Sequence, residues 1–154
     1  MKVLFICSAN ICRSPLAEVV LRKKLDEKDV AGVKVCSAGI LDLEGEPRDP
    51  HMIALAQKDG YEMMGKAIRI NKELIESADI IICMSHYHIV EVQKELPYSH
   101  WHRIKRFNEV CFDEMTDLRD PTGNLDEVYK QVYDKIVYGC DILALKLKTH
   151  TLII

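Results

Sequence analysis

Val3-Leu-Phe-Ile-Cys-Ser-Ala-Asn-Ile-Cys-Arg-Ser-Pro15 is the stretch whose reading decides the fold. Five apolar residues, Val3 to Cys7, form the short continuous run expected of a strand buried on both faces of a parallel sheet. A polar loop begins at Ser8. Ser14-Pro15 then predicts a helix start, with Ser14 as N-cap and Pro15 at the first helical position, where no N–H is needed. Cys7 thus stands at a strand end and Arg13 at a helix start, close enough along the chain to face one small anion.

That placement has a chemical use. Successive loop N–H groups can converge as a nest, and a helix N-terminus adds partial positive charge. The planar fork of Arg13 matches phosphate oxygens in a bidentate way. The same field favours the thiolate of Cys7, the nucleophilic form. Cys-x5-Arg spacing alone fits a buried strand cysteine beside a capping arginine equally well. The strand before it and the helix start after it tilt the reading towards an anion site.

The rest of the chain sets bounds. Its 154 residues suit a single domain spanning 1–154 with a real core. With 48% hydrophobic and 29% charged residues, composition is that of a soluble globular protein, and a net charge of −3 argues against a general nucleic-acid binder. No signal peptide and no apolar run of membrane-spanning length is visible, so a cytoplasmic protein without membrane association is expected. Six cysteines could form a disulfide framework, but without a secretory signal reduced thiols are the better reading. Cys36 and Cys83 read as core strand residues and Cys140 as helical. His86-x-His88 and His100-x-His102 lack nearby cysteine pairs, so no metal is expected and the histidines read as surface or helix residues.

In chain order, a helix is predicted from about Pro15 to Lys28 on the apolar positions Ala17, Val20, Leu21 and Leu25. Val33 to Ser37 alternates as a second strand, completing a strand–helix–strand unit with a right-handed crossover. Asp49-Pro50 precedes a helix from His51 to about Asp59, closed by Gly60. Lys66 to Ile70 reads as a brief extended piece, and Asn71 as the cap of a short helix through Glu76. Ala78 to Met84 is a buried strand. Ser85 caps a helix over His86 to Leu96. Ile104 to Phe107 is a candidate fourth strand within an otherwise unreadable segment from Tyr98 to Glu114. A long helix is predicted from about Leu125 to Lys148. The order of elements is that of a doubly wound α/β domain, whose ligands bind outside the carboxyl ends of the strands.

Cys7-Ser-Ala-Asn-Ile-Cys-Arg-Ser-Pro15 resembles the signature loop of the low-molecular-weight protein tyrosine phosphatases. Asp120-Pro121 is similar to that family's general-acid loop, and Ser37-Ala38-Gly39 fits as well. The resemblance covers essentially the whole chain and implies a four-stranded parallel sheet in order 2-1-3-4 with helices on both faces. It implies a cysteine-dependent hydrolysis of phosphotyrosine through a phosphocysteine intermediate. Cys7 would be the nucleophile, Arg13 the phosphate clamp and Asp120 the acid and then base, with no cofactor. Asp-Pro by itself is only a turn signal, and Asp49-Pro50 is a second such pair; chain order selects Asp120. Ser8, Ala9, Asn10, Ile11, Cys12, Arg13 and Ser14 would hold the phosphate, braced by Asn10, Ser14 and Ser37. Cys12 would be a redox partner of Cys7. Leu41 and Thr122 would form the substrate rim, and the partner would be a tyrosine-phosphorylated protein or peptide met by a monomer.

The chain departs from the pattern in places. Ser8 and Ala9 stand where many members have an apolar residue and Gly, and Ala tolerates the positive φ of a nest poorly. Thr122 and Gly123 replace the two tyrosines of eukaryotic members, giving a plainer rim. Gly65 replaces a supporting histidine of some members. Protein-arginine phosphatases share the fold but typically carry Thr where this chain has Ile11. Arsenate reductases share the loop but need two further cysteines near the end of the third strand; Cys83 could be one, while Val90 stands at the other position. A phosphocysteine carrier and a non-catalytic phosphate-binding module are the readings from other classes. Arg13 with Asp120 favours hydrolysis over the carrier, and turnover separates an enzyme from the binding module.

Overall fold

A computed structural model describes residues 1–152 and 154. Four parallel strands, β1 (Lys2–Cys7), β2 (Lys34–Gly39), β3 (Ile80–Cys83) and β4 (Ile104–Arg106), form one sheet in the order β2-β1-β3-β4. β1 lies between β2 and β3, pairing Val3 with Val35 on one side and with Ile80 on the other. Its residues Val3 to Ile6 are fully buried, which explains the unbroken apolar run.

The two faces carry separate cores. Val3, Phe5, Ile80 and Ile82 pack with residues of α1 (Arg13–Glu27), α2 (Pro50–Lys58), α5 (Phe107–Phe112) and α6 (Asp126–Lys148). Leu4, Ile6, Ile81 and Cys83 pack with Ile75 of α3 (Lys72–Ser77), Val92 of α4 (His86–Gln93) and Trp101. Each fully buried Leu, Ile or Phe contributes about 1.5–3 kcal/mol, so these central strands anchor the domain.

Local chemistry sets the helix starts. The Asp49 carboxylate accepts from the His51 and Met52 amides at 2.9 and 3.2 Å, and Asn71 Oδ1 accepts from the Leu74 amide at 2.9 Å.

Several expectations are corrected. α1 begins at Arg13, so Ser14 lies inside its first turn and is not the N-cap; Cys12 holds that position without a side-chain bond. Pro15 still sits where its missing N–H has no intrahelical acceptor. Cys36 is only half-buried, because β2 is an edge strand. The brief extended piece expected at Lys66 to Ile70 is present as two isolated bridges, Pro47 with Lys66 and Gly39 with Arg69. α4 stops at Gln93, short of Leu96. Phe107 opens α5 instead of ending β4, and α5 itself was unreadable because six residues are too short for a helical period to show. No described helix is long and apolar enough to cross a membrane.

Candidate active site

Residues 8–12 wrap around the carboxyl end of β1 with their carbonyls tied outward. Ser8 O accepts from the Leu41 amide and Ile11 O from the Asp49 amide, both at 2.8 Å, while Arg48 Nη1 donates to Asn10 O. In a trans peptide the N–H points opposite to the C=O. The amides of Ala9, Ile11 and Cys12 therefore turn towards the loop's centre, as an anion nest requires.

Asn10 takes the left-handed conformation, with φ at 57°, and Ala9 does not. The anticipated strain at Ala9 is thus absent, since Asn tolerates this region far better than Ala. Gly39 makes the wrap possible: a Cβ there would lie 2.8 Å from both Ala9 C and Asn10 N.

Cys7 is 3% exposed and its Sγ lies 2.9 Å from Ser14 Oγ and 3.3 Å from the Asn10 amide. Asn10 Nδ2 donates to Ser14 Oγ at 2.8 Å and to Ser37 Oγ at 2.9 Å. The three residues expected to brace the loop are thus joined in one buried network.

Arg13 is buried to 4% and donates from Nη1 to the Leu118 carbonyl at 2.7 Å. Its Nη2 faces Asp120 Oδ2 at 3.7 Å. Asp120 Oδ1 accepts from the Thr122 amide at 3.0 Å, an Asx-type turn that aims the carboxylate. The Leu118 amide bonds Met84 O at 2.8 Å, tying this loop to the end of β3. Cys7, Ser8, Ala9, Ile11, Cys12, Arg13, Asp120 and Thr122 together line one small pocket. Leu41 meets the loop through its backbone and leaves its side chain 44% exposed. Burial, then the nearby Asp49 carboxylate, pushes the Cys12 thiol well above its ordinary range, so Cys12 stays protonated beside Cys7.

Three contributors escaped the sequence reading. Arg48, only 7% exposed, also reaches Asn10 Oδ1 at 3.0 Å and Met64 O at 3.2 Å. His88 lies on α4, one of the two places read for it, and is 1% exposed; its Nδ1 accepts from the Ser85 amide at 3.0 Å and its Nε2 meets Ser8 Oγ at 2.9 Å. Burial, then the Arg13 charge, lowers this imidazole to about 4, so it is neutral near pH 7. Ser85-x-x-His88 was a legible signal, since a side chain three residues after a cap can reach back to the cap amide. Tyr129 OH donates to Asp49 Oδ2 at 2.8 Å, holding the capping carboxylate behind the loop.

A nucleophile at the floor of an anion nest, a cation on one side and a carboxylate at the mouth can transfer a phosphoryl group. Known proteins agree in outline. The family profile described as low molecular weight phosphotyrosine protein phosphatase matches residues 2–152. A protein-arginine-phosphatase of Geobacillus stearothermophilus is 31% identical over 151 residues, 97% of each chain. The low molecular weight protein-tyrosine-phosphatase Etp of Escherichia coli is 33% identical over 132 residues, covering 85% of this chain and 84% of its own. A protein tyrosine phosphatase from Entamoeba histolytica superposes with a TM-score of 0.89 at 25% identity, over 99% of both chains.

Proposed function

From the premise that the chain belongs to the low molecular weight protein tyrosine phosphatase family, we propose that it hydrolyses phosphotyrosine in proteins with Cys7 as nucleophile. The observation that carries this reading is the convergence of Cys7, Arg13 and Asp120 on one pocket. The Cys7 sulfur attacks phosphorus, forming the S–P bond as the P–O bond to the leaving group breaks. Asp120 gives its proton to the departing oxygen. Water then attacks the phosphocysteine, Asp120 takes a proton from it, and the S–P bond breaks to release inorganic phosphate. Arg13 and the inward amides of Ala9, Ile11 and Cys12 carry the charge on the equatorial oxygens through both steps.

The apolar side chain of Ile11 on the pocket wall suits a tyrosine ring. A second reading is hydrolysis of phosphoarginine. The similarity to the Geobacillus stearothermophilus protein supports it, as does a mouth whose Thr122 offers no aromatic face. Arsenate reduction is disfavoured by Val90 at the expected cysteine position. We further take the protein to work in the cytoplasm as a single-domain monomer, without a nucleic-acid partner, and Cys12 to be the residue with which Cys7 can form a protective disulfide.

Phosphate release from an aryl phosphate, measured from about pH 5 to 7 without added metal, tests the chemistry. Turnover that vanishes in Cys7→Ser and falls sharply in Asp120→Ala supports it. A folded, reduced protein that binds phosphate without turnover is a binding module, and one that passes phosphate to a sugar is a carrier. Competition between phosphotyrosine and phosphoarginine peptides separates the two hydrolytic readings.

A further inference from the structure

We propose that Arg48 sets the direction of the hydrogen-bond chain that ends at Cys7, and so holds the sulfur as an acceptor, ready to attack. The inference rests on the reading of Cys7 as nucleophile. It follows from counting donors. A guanidinium and a backbone amide can only donate. Arg48 Nη1 at 3.0 Å and the Ile68 amide at 2.9 Å both meet the same end of the Asn10 side chain, so that end is the oxygen. The other end is the NH2 group, which donates to Ser14 and Ser37. Ser14 Oγ, having accepted from Asn10, has its single hydrogen left for Cys7 Sγ at 2.9 Å. With the Asn10 amide also aimed at the sulfur, Cys7 receives two donors, the pattern that stabilises a thiolate.

Without Arg48, the Ile68 amide would be the one donor among the described contacts opposing the reverse arrangement. With the Asn10 amide turned over, Ser14 would donate to Asn10 and accept from a Cys7 S–H, leaving a protonated sulfur. The turned amide would point its NH2 at the guanidinium. The Ile68 amide opposes that too, but only Arg48 adds a charge. Its guanidinium is held by the Asn10 and Met64 carbonyls, and an ideal Cβ on Gly65 would lie 3.6 Å from Arg48 Nη2, an ordinary contact. The other charged groups around Cys7 are Arg13 from α1, Asp120 from the loop before α6, and Asp49, which Tyr129 ties back; Cys12 and His88 are neutral. Arg48 is a positioning residue, since it acts through Asn10 and Ser14.

The test is the rate of iodoacetamide alkylation of Cys7, read on its own peptide by mass spectrometry, which requires no phosphatase activity. Arg48→Met is expected to slow alkylation roughly 10-fold at about pH 6 and less than about 2-fold at about pH 9.5, above the range in which an ordinary thiol ionises. Arg48→Lys, which keeps the cation, should stay within about 3-fold of wild type at both. A folded Arg48→Met protein alkylated at the wild-type rate near pH 6, or slowed equally at both pH values, overturns the proposal. Arg48→Gln keeps an uncharged donor on a shorter side chain and must also slow selectively at low pH. Should neither uncharged variant fold while Arg48→Lys behaves as wild type, the residue is structural and the proposal falls. Loss of turnover in wild type with this pattern intact would sink the phosphatase reading alone.

Discussion

Arg13 Nη2 and Asp120 Oδ2 face each other at 3.7 Å across the mouth of the pocket, one side chain buried and the other half-exposed. The separation is loose for an ion pair, and its Asp partner is open to solvent, so it adds little stability. What it does is station the carboxylate over the place where a phosphate on Arg13 would present its leaving oxygen. Asp120→Asn should therefore lower kcat/KM, which reports the first step alone, by about 10²–10⁴-fold on phenyl phosphate. The loss should shrink on a nitrophenyl ester, whose leaving oxygen needs less help. Initial rates on the two esters check this, and equal losses on both would remove Asp120 from the acid role.

Gly39 stands against the loop's outer side with no room for a methyl group. A Cβ there would be 2.8 Å from Ala9 C and Asn10 N and 3.0 Å from Ser8 O, all backbone atoms that cannot swing aside. Gly39→Ala should displace the loop, cost about 3 kcal/mol and lower kcat/KM by at least about 10-fold. Urea unfolding and steady-state rates on the same sample measure both effects. A variant with normal activity would show that the loop accommodates the methyl group.

Gly139 supplies the contrast. A Cβ there would meet the Phe107 ring at 2.7 and 2.8 Å and Cys111 Sγ at 3.2 Å, in the core between α5 and α6. Gly139→Ala should destabilise the fold by about 1–3 kcal/mol while kcat/KM at low temperature stays near wild type. Thermal unfolding beside rates at about 10 °C separates the two.

His88 makes stability depend on pH. Its imidazole is held at about 4 when folded and returns to the ordinary 6.5 when unfolded. Between these values the unfolded chain binds a proton that the folded protein refuses, so stability is full above about 6.5 and falls on acidification towards 4, by up to about 3 kcal/mol. Urea midpoints at about pH 7 and pH 5 should differ less in His88→Gln than in wild type. Equal differences would show that His88 takes up its proton without unfolding.

The sequence by itself determined the architecture and most of the residues that line the candidate pocket. An unbroken apolar run ending at Cys7, a Ser-Pro helix start and a second strand after one helix are local patterns, and local patterns are what periodicity and turn chemistry record. The resemblance of the loop and of Asp120-Pro121 then picked one acid from two Asp-Pro pairs. Only the tertiary structure decided what holds those residues. Arg48, His88 and Tyr129 lie 38, 80 and 80 positions from the groups they bond, namely Asn10, Ser8 and Asp49, and no spacing rule links residues so far apart. Ser14 read both as a helix cap and as a brace of the loop; the fold leaves the cap to Cys12 and turns the Ser14 hydroxyl to Cys7 and Asn10. The direction of that last hydrogen bond depends on which end of Asn10 faces a buried cation, and buried polar groups choose their partners only once the chain has closed around them.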